Sequence, residues 1–208
     1  MKGIENMSAA SERIPDGRSL LDTLRLPLSE RWVRQSQGIA RSVIGFMIGF
    51  APDLGWDVVN EKARMLAHLG GYGTGQEAAA WLAERNRIGP AGQRDARDAA
   101  LAYLYAAANN GSDWNPEILD WEPDIVRLHC TGTCTLLDAV RALGQEANVD
   151  CHGICTASHG GVVQGATQDV QYQAPKGRCQ GDDVCEFVFR NTRTSGLGPH
   201  GRLSGGEP

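Results

Sequence analysis

Asp124-Ile-Val-Arg-Leu-His-Cys130, separated by Glu122-Pro123 from Glu117-Ile-Leu-Asp-Trp121, is where the chain changes character. Both runs are rich in apolar and β-forming residues and are bounded by a turn signal, which predicts two neighbouring strands. Side chains alternate across a strand, so Val126, Leu128 and Cys130 share one face, and Ile125, Arg127 and His129 share the other. The first set is the more apolar. Cys130 is therefore expected to point inward and His129 outward.

Upstream of this stretch the apolar period is helical. A first helix is expected over roughly 30–50, with Val43, Met47 and Phe50 in phase. A second is expected over roughly 54–69, with Trp56, Val59, Ala63 and Leu66 on one stripe, closed by Gly70-Gly71 as a C-cap. Thr74 and Glu77 stand at capping-box spacing ahead of Trp81 and Leu82, predicting a third helix. A fourth covers about 92–108, carried by Leu101, Leu104, Tyr105 and Ala108. Gly45 and Gly49 form a GxxxG, read as a close helix contact. The run Gly71-Tyr-Gly-Thr-Gly75 lacks the strand and the remaining residues of a nucleotide fingerprint and reads as a turn between helices.

Downstream, Thr135 to Leu143 reads as a helix, and Cys151 to about Val163 as another with Asp150 as its N-cap. Thr167 to Cys179 and Val184 to Arg190 read as a hairpin across Gln180-Gly-Asp-Asp183. In the last strand Cys185, Phe187 and Phe189 share a face and are expected to point inward, whereas Cys179 falls on the opposite parity from Val170 and Tyr172. The class is α+β: an N-terminal helical block, then a small antiparallel sheet with two packed helices. The expected divisions are a mobile lead over 1–28, the helical block over 29–111, a cysteine-rich α+β region over 112–190 and a disordered tail over 191–208.

Of 208 residues, 41% are apolar and 22% charged, with a formal net charge of −5, which describes an ordinary globular chain. An acidic balance and aromatics that do not alternate with basic residues argue against a nucleic-acid surface. The polar N-terminus lacks the apolar core of a signal peptide, and the most apolar run, Val43 to Ala51, is too short to span a bilayer. A cytoplasmic chain with no membrane partner is expected, and there thiols stay reduced.

That matters because all six cysteines lie from Cys130 onward: Cys130, Cys134, Cys151, Cys155, Cys179 and Cys185. Cys151 opens its helix, where unpaired N–H groups favour a thiolate, and Cys155 and His159 follow on the same face. The spacings C-x-x-x-C, C-x-x-x-C and C-x-x-x-x-x-C differ from the paired C-x-x-C of common zinc modules. Cys130, Cys151 and Cys185 are expected to line one pocket, with Cys155 beside them. Cys134 and Cys179 are assigned to packing or surface roles.

The order Leu128-His-Cys130, Ala142-Leu-Gly144, Asp150-Cys151 and Gly181-Asp-Asp-Val-Cys185-Glu-Phe187 resembles the L-2-amino-thiazoline-4-carboxylic acid hydrolase family. It is more distantly similar to 4-vinyl-reductase-type small-molecule-binding domains. The likeness covers about a third of the chain. It departs from the hydrolase pattern at Ile154, where the family usually has an acidic residue, and at Ala174-Pro-Lys-Gly177. The resemblance implies a hydrolase opening a small sulfur- and nitrogen-containing ring, with Cys151 as nucleophile, Cys130 and Cys185 lining the pocket and His159 as acid or base. Two other readings stand beside it. In one, Cys130, Cys151, Cys155 and Cys185 hold zinc or another divalent metal that activates water. In the other, the chain is a non-enzymatic domain that binds a small molecule or senses a metal or redox state.

Overall fold

The computed structural model describes residues 16–25, 39–109, 114–132 and 134–193. The expected lead over 1–15 and 26–28, the start of the first helix over 30–38 and the tail beyond 193 lie outside the described residues. The fold is α+β. Its elements are α1 (Gly17–Leu24), α2 (Ile39–Leu54), α3 (Trp56–Glu84), α4 (Ala96–Asn109), β1 (Trp114–Trp121), β2 (Ile125–Gly132), α5 (Thr135–Ala142), α6 (Cys151–Ala166), β3 (Val170–Lys176) and β4 (Cys185–Asn191). The strands form one antiparallel sheet in the order β1-β2-β4-β3.

The parity argument for β2 and β4 holds. Val126, Leu128 and Cys130 are buried on the helix-facing side together with Phe187 and Phe189. On the other side His129 and Lys176 meet the Glu186 carboxylate. In register, Leu128 pairs with Phe187 and Cys130 with Cys185, so inward residues of one strand stand beside inward residues of the next.

The helices cover that inner face. α4 is an alanine-rich helix buried almost all round, from Ala96 to Asn109. Its residues share one apolar core with Leu82 of α3, Val163 of α6 and the inner face of the sheet. The helical block and the cysteine-rich region thus fold around a common core. α1 joins that core through Leu21 and Leu24, with the Asp16 carboxylate capping its first turn by accepting from the Ser19 N–H at 2.8 Å. A second, smaller core gathers Ile44 and Met47 of α2, Val59 and Ala63 of α3, and Val140, Val149 and Ile154 beside them.

The largest departure from expectation lies in α3. The second and third predicted helices are one continuous helix, and Gly70-Gly71 is no C-cap. Nor does Thr74 cap anything: mid-helix, its hydroxyl donates to the Gly70 carbonyl at 3.1 Å. The glycines are there for packing. A Cβ at Gly71 would fall inside 3.0 Å of the Ser158 carbonyl oxygen, and one at Gly75 inside 3.0 Å of the Val162 carbonyl oxygen. From the other side, Gly161 and Gly165 of α6 meet the backbone of His68, Tyr72 and Gln76 with the same closeness. α3 and α6 therefore touch backbone to backbone, and only glycine permits that approach. The predicted GxxxG contact is different: a Cβ at Gly45 or Gly49 would meet open space. Around it, Phe46, Phe50, Met65 and Leu69 leave an apolar surface on α2 and α3, with Phe46 63% exposed. Among the described residues no helix is long and apolar enough to cross a membrane.

Candidate functional site

Between the sheet and α6 lies a small cavity of about 30 Å³, room for about two water molecules. The sheet supplies aromatic walls. Trp114 of β1 and Phe187 of β4 stack with ring centroids 5.5 Å apart and planes 17° apart. Tyr172 of β3 lies beside Phe187 at 6.0 Å. α6 sends His159 into the middle of them, edge-on to Trp114, Tyr172 and Phe187 at 5.4–5.8 Å. Tyr103 of α4 packs behind this cage, 5.0 Å from the His159 ring.

Such a cage is largely apolar, and its polar groups respond accordingly. Burial lowers the His159 pKa from its ordinary 6.5 to about 4, so the imidazole is neutral near neutral pH. Its Nδ1 lies 3.0 Å from the Tyr172 hydroxyl, which satisfies both groups. Burial also raises both Tyr103 and Tyr172 well above the ordinary phenol value, keeping them protonated. The Tyr103 hydroxyl and the Thr156 hydroxyl are buried without a hydrogen-bond partner, and Thr156 lines the cavity.

The six thiols are free and divide into two sets. Cys130 and Cys185 face the cavity from paired strands. Burial first, and then the Cys185 sulfur, pushes the Cys130 thiol far up, and burial raises Cys185 as well. The Cys185 sulfur accepts the Arg178 N–H at 3.4 Å.

The other four converge from three segments of chain. Cys134 is the N-cap residue of α5, Cys151 and Cys155 stand one turn apart at the start of α6, and Cys179 sits on a short 3-10 turn, Arg178–Gln180. The sulfurs of Cys134, Cys151 and Cys155 lie within 4.8 Å of one another, an arrangement from which a soft metal ion could be held. Cys179 lines the same cavity as Cys134 and Cys155 and stands 3.9 Å from Nδ1 of His152.

Within this cluster the negative charge settles away from the expected place. Asp150 does cap α6, accepting from the Gly153 N–H at 2.9 Å, and Cys151 is the first helical residue. Yet the Cys151 thiol is pushed up rather than down, because it donates to Cys134 and stands among Cys155 and Cys179 as well. Cys134 is the acceptor. Its sulfur neighbours, Cys151 first and then Cys155, hold the Cys134 thiol well below its ordinary value. The Cys151 hydrogen bond, followed by His152, lowers Cys179 to about 6 despite partial burial.

The start of α6 is fixed from α3. Arg64 forms an ion pair with the Asp150 carboxylate, Asn60 accepts the Asp150 N–H at 2.9 Å, and the Asn60 side chain donates to the Asn148 carbonyl at 2.8 Å. These contacts orient the helix end that carries Cys151 and Cys155.

Of the residues singled out from the sequence, the structure brings Cys130, Cys185, Cys155 and His159 to the cavity. Cys151 is buried and is not a wall of the cavity. Cys130 and Cys185 stand apart from the sulfur cluster, so the set Cys130, Cys151, Cys155 and Cys185 is not brought together as one group. Cys134, set aside as a packing or surface residue, belongs to the cluster, and Cys179, set aside with it, lines the cavity beside Cys134 and Cys155. The sequence signal for Cys134 was its place one residue before an amphipathic helix. Cys179 left no signal, since its position depends on a turn outside the strand.

No family profile and no curated protein matches the chain. Among solved structures it is similar to a trafficking protein particle complex subunit 3 from Naegleria fowleri covalently bound to palmitic acid. The identity is 11% and the TM-score 0.42, over 75% of this chain and 94% of that one, a likeness too faint to bear on function.

Proposed function

We propose that the chain is a small-molecule-binding domain whose ligand enters the cavity between α6 and the sheet. The observation that carries this reading is the aromatic cage itself: Trp114, Tyr172 and Phe187 around a neutral, hydrogen-bonded His159. The resting cavity holds only about two water molecules, so an aromatic ligand enters by displacing the surrounding side chains; an apolar wall with a few convergent polar groups is the usual form of such sites. The Thr156 hydroxyl, buried without a partner on the cavity wall, and His159 supply the polar groups. This reading extends the 4-vinyl-reductase-type resemblance, and it fits a cytoplasmic protein with reduced thiols.

The ring-opening hydrolase is the second reading, and one observation favours it. Cys134 lines the cavity and carries the stabilised thiolate, so in an enzyme it, rather than Cys151, would attack the ring. His159, neutral and near the cavity, would then serve as a proton acceptor.

Calorimetric titration with a panel of uncharged aromatic and heteroaromatic compounds separates the two. The binding reading expects saturable binding, weakened about tenfold by Tyr172→Phe, which removes one hydrogen bond to His159 and leaves the wall in place. It expects no turnover of 2-amino-thiazoline-4-carboxylate. Turnover that disappears in Cys134→Ser, with the fold retained, would establish the hydrolase instead.

A further inference from the structure

We propose that Cys134, Cys151, Cys155 and Cys179 form a closed four-thiolate site for one soft divalent metal ion of the zinc class. The inference stands beside the ligand reading and does not depend on any molecule occupying the cavity.

Three observations carry it. First, the geometry is close to that of a ligand shell. A tetrahedral Zn–S bond of roughly 2.3 Å places sulfurs roughly 3.8 Å apart. Cys134, Cys151 and Cys155 already lie within 4.8 Å of one another, so small side-chain rotations close the shell. The fourth sulfur, Cys179, lies outside that 4.8 Å group but lines the same cavity as Cys134 and Cys155, so it is the ligand that turns in to complete the shell. Second, the donor set is uniform. The group contains sulfur alone, and thiolates select zinc-class and softer ions over magnesium, calcium or manganese. Third, the surroundings are those of a held metal. His152 lies 3.9 Å from the Cys179 sulfur, within reach of a ligand thiolate. The Asn60 and Arg64 contacts to Asp150 fix the helix end that carries two of the four sulfurs.

The site would tie α5, the start of α6 and the turn before β4 together at three points. Four protein ligands leave no open position for water, so the ion's role is to hold these segments, and with them the mouth of the cavity, rather than to perform hydrolysis. Cys130 and Cys185 take no part: they pair across β2 and β4, and Cys185 is already engaged by the Arg178 N–H.

Cobalt(II) titration of the reduced full chain, followed by displacement with zinc, tests the assignment. The expected result is one equivalent of cobalt with the intense sulfur-to-metal charge-transfer and visible bands of a tetrahedral thiolate site, and displacement of the cobalt by zinc. Cys134→Ser and Cys155→Ser are expected to weaken zinc binding by about 100-fold or more, and Cys130→Ser and Cys185→Ser to change it by less than about threefold. Should the helix-start variants fail to fold, Cys179→Ser on its turn still decides the matter. It is expected to keep the fold and give a cobalt spectrum with about a quarter less charge-transfer intensity, as three sulfurs and one oxygen require. Absence of a tetrahedral thiolate spectrum in the wild-type chain would overturn the proposal. So would loss of binding in Cys130→Ser or Cys185→Ser, or an unchanged spectrum in Cys179→Ser.

Discussion

Gly75→Val is expected to lower folding stability by about 3 kcal/mol or more, whereas Gly73→Ala, two residues away on the same helix, is expected to raise it by roughly 0.5–1 kcal/mol. The contrast follows from what each position faces. A Cβ at Gly75 would press into the Val162 carbonyl, which belongs to backbone and cannot swing aside, and one at Gly73 would meet open space. At Gly73 the helix gains because alanine restricts the unfolded chain and suits a helix interior better than glycine. Gly161→Val, which meets the His68 carbonyl from the α6 side, should resemble Gly75→Val. Urea unfolding of the three variants checks the set. The effect should reach the site as well, because α6 carries Cys151, Cys155 and His159, and pushing it away from α3 separates them from the sheet. Equal stability of Gly75→Val and Gly73→Ala would mean that the two helices do not meet as described.

Stability is also expected to fall in mild acid through one residue. His159 titrates at about 6.5 in the unfolded chain and at about 4 in the folded one. A histidine whose pKa is depressed by folding binds its proton more readily when unfolded, so protonation favours unfolding. Its contribution is fully present above about pH 6.5 and is lost as pH falls from about 6.5 toward 4. Over that interval the loss amounts to about 3 kcal/mol. His159→Gln keeps a polar group near the Tyr172 hydroxyl and removes the titration. Its stability should be lower at pH 7.5 and nearly flat between pH 6.5 and 4, apart from the carboxylates that titrate in every variant. An acid slope equal to that of the wild type in this window would show that His159 is not held neutral by the cage.

The sheet could be read from the sequence because strand parity is a local property. Val126, Leu128 and Cys130 against Arg127 and His129 determine which face of β2 is buried, and Phe187 and Phe189 do the same for β4. The resulting cavity lining, Cys130 and Cys185, follows directly. The helices were harder where a glycine served a distant partner. Gly70-Gly71 and Gly75 look like punctuation in one dimension, and their purpose appears only when α6 lies across them. The thiol cluster was harder again. It depends on α5 and α6 starting near each other and on a 3-10 turn carrying Cys179 out of the strand alternation, neither of which any single segment encodes. The dipole argument for Cys151 was sound for an isolated helix. Within the cluster, neighbouring sulfurs absent from that local picture raise the Cys151 thiol instead.

The apolar surface of α2 and α3 is the competing place for an apolar ligand to settle, which makes location, rather than affinity, the sharper test of the pocket. Intermolecular nuclear Overhauser contacts between the tightest-binding aromatic compound of the panel and the isotope-labelled chain measure it directly. The cavity reading predicts contacts to the ring protons of Trp114, Tyr172 and Phe187 and to the methyl group of Thr156. Contacts confined to Phe46, Phe50, Met65 and Leu69 would contradict it.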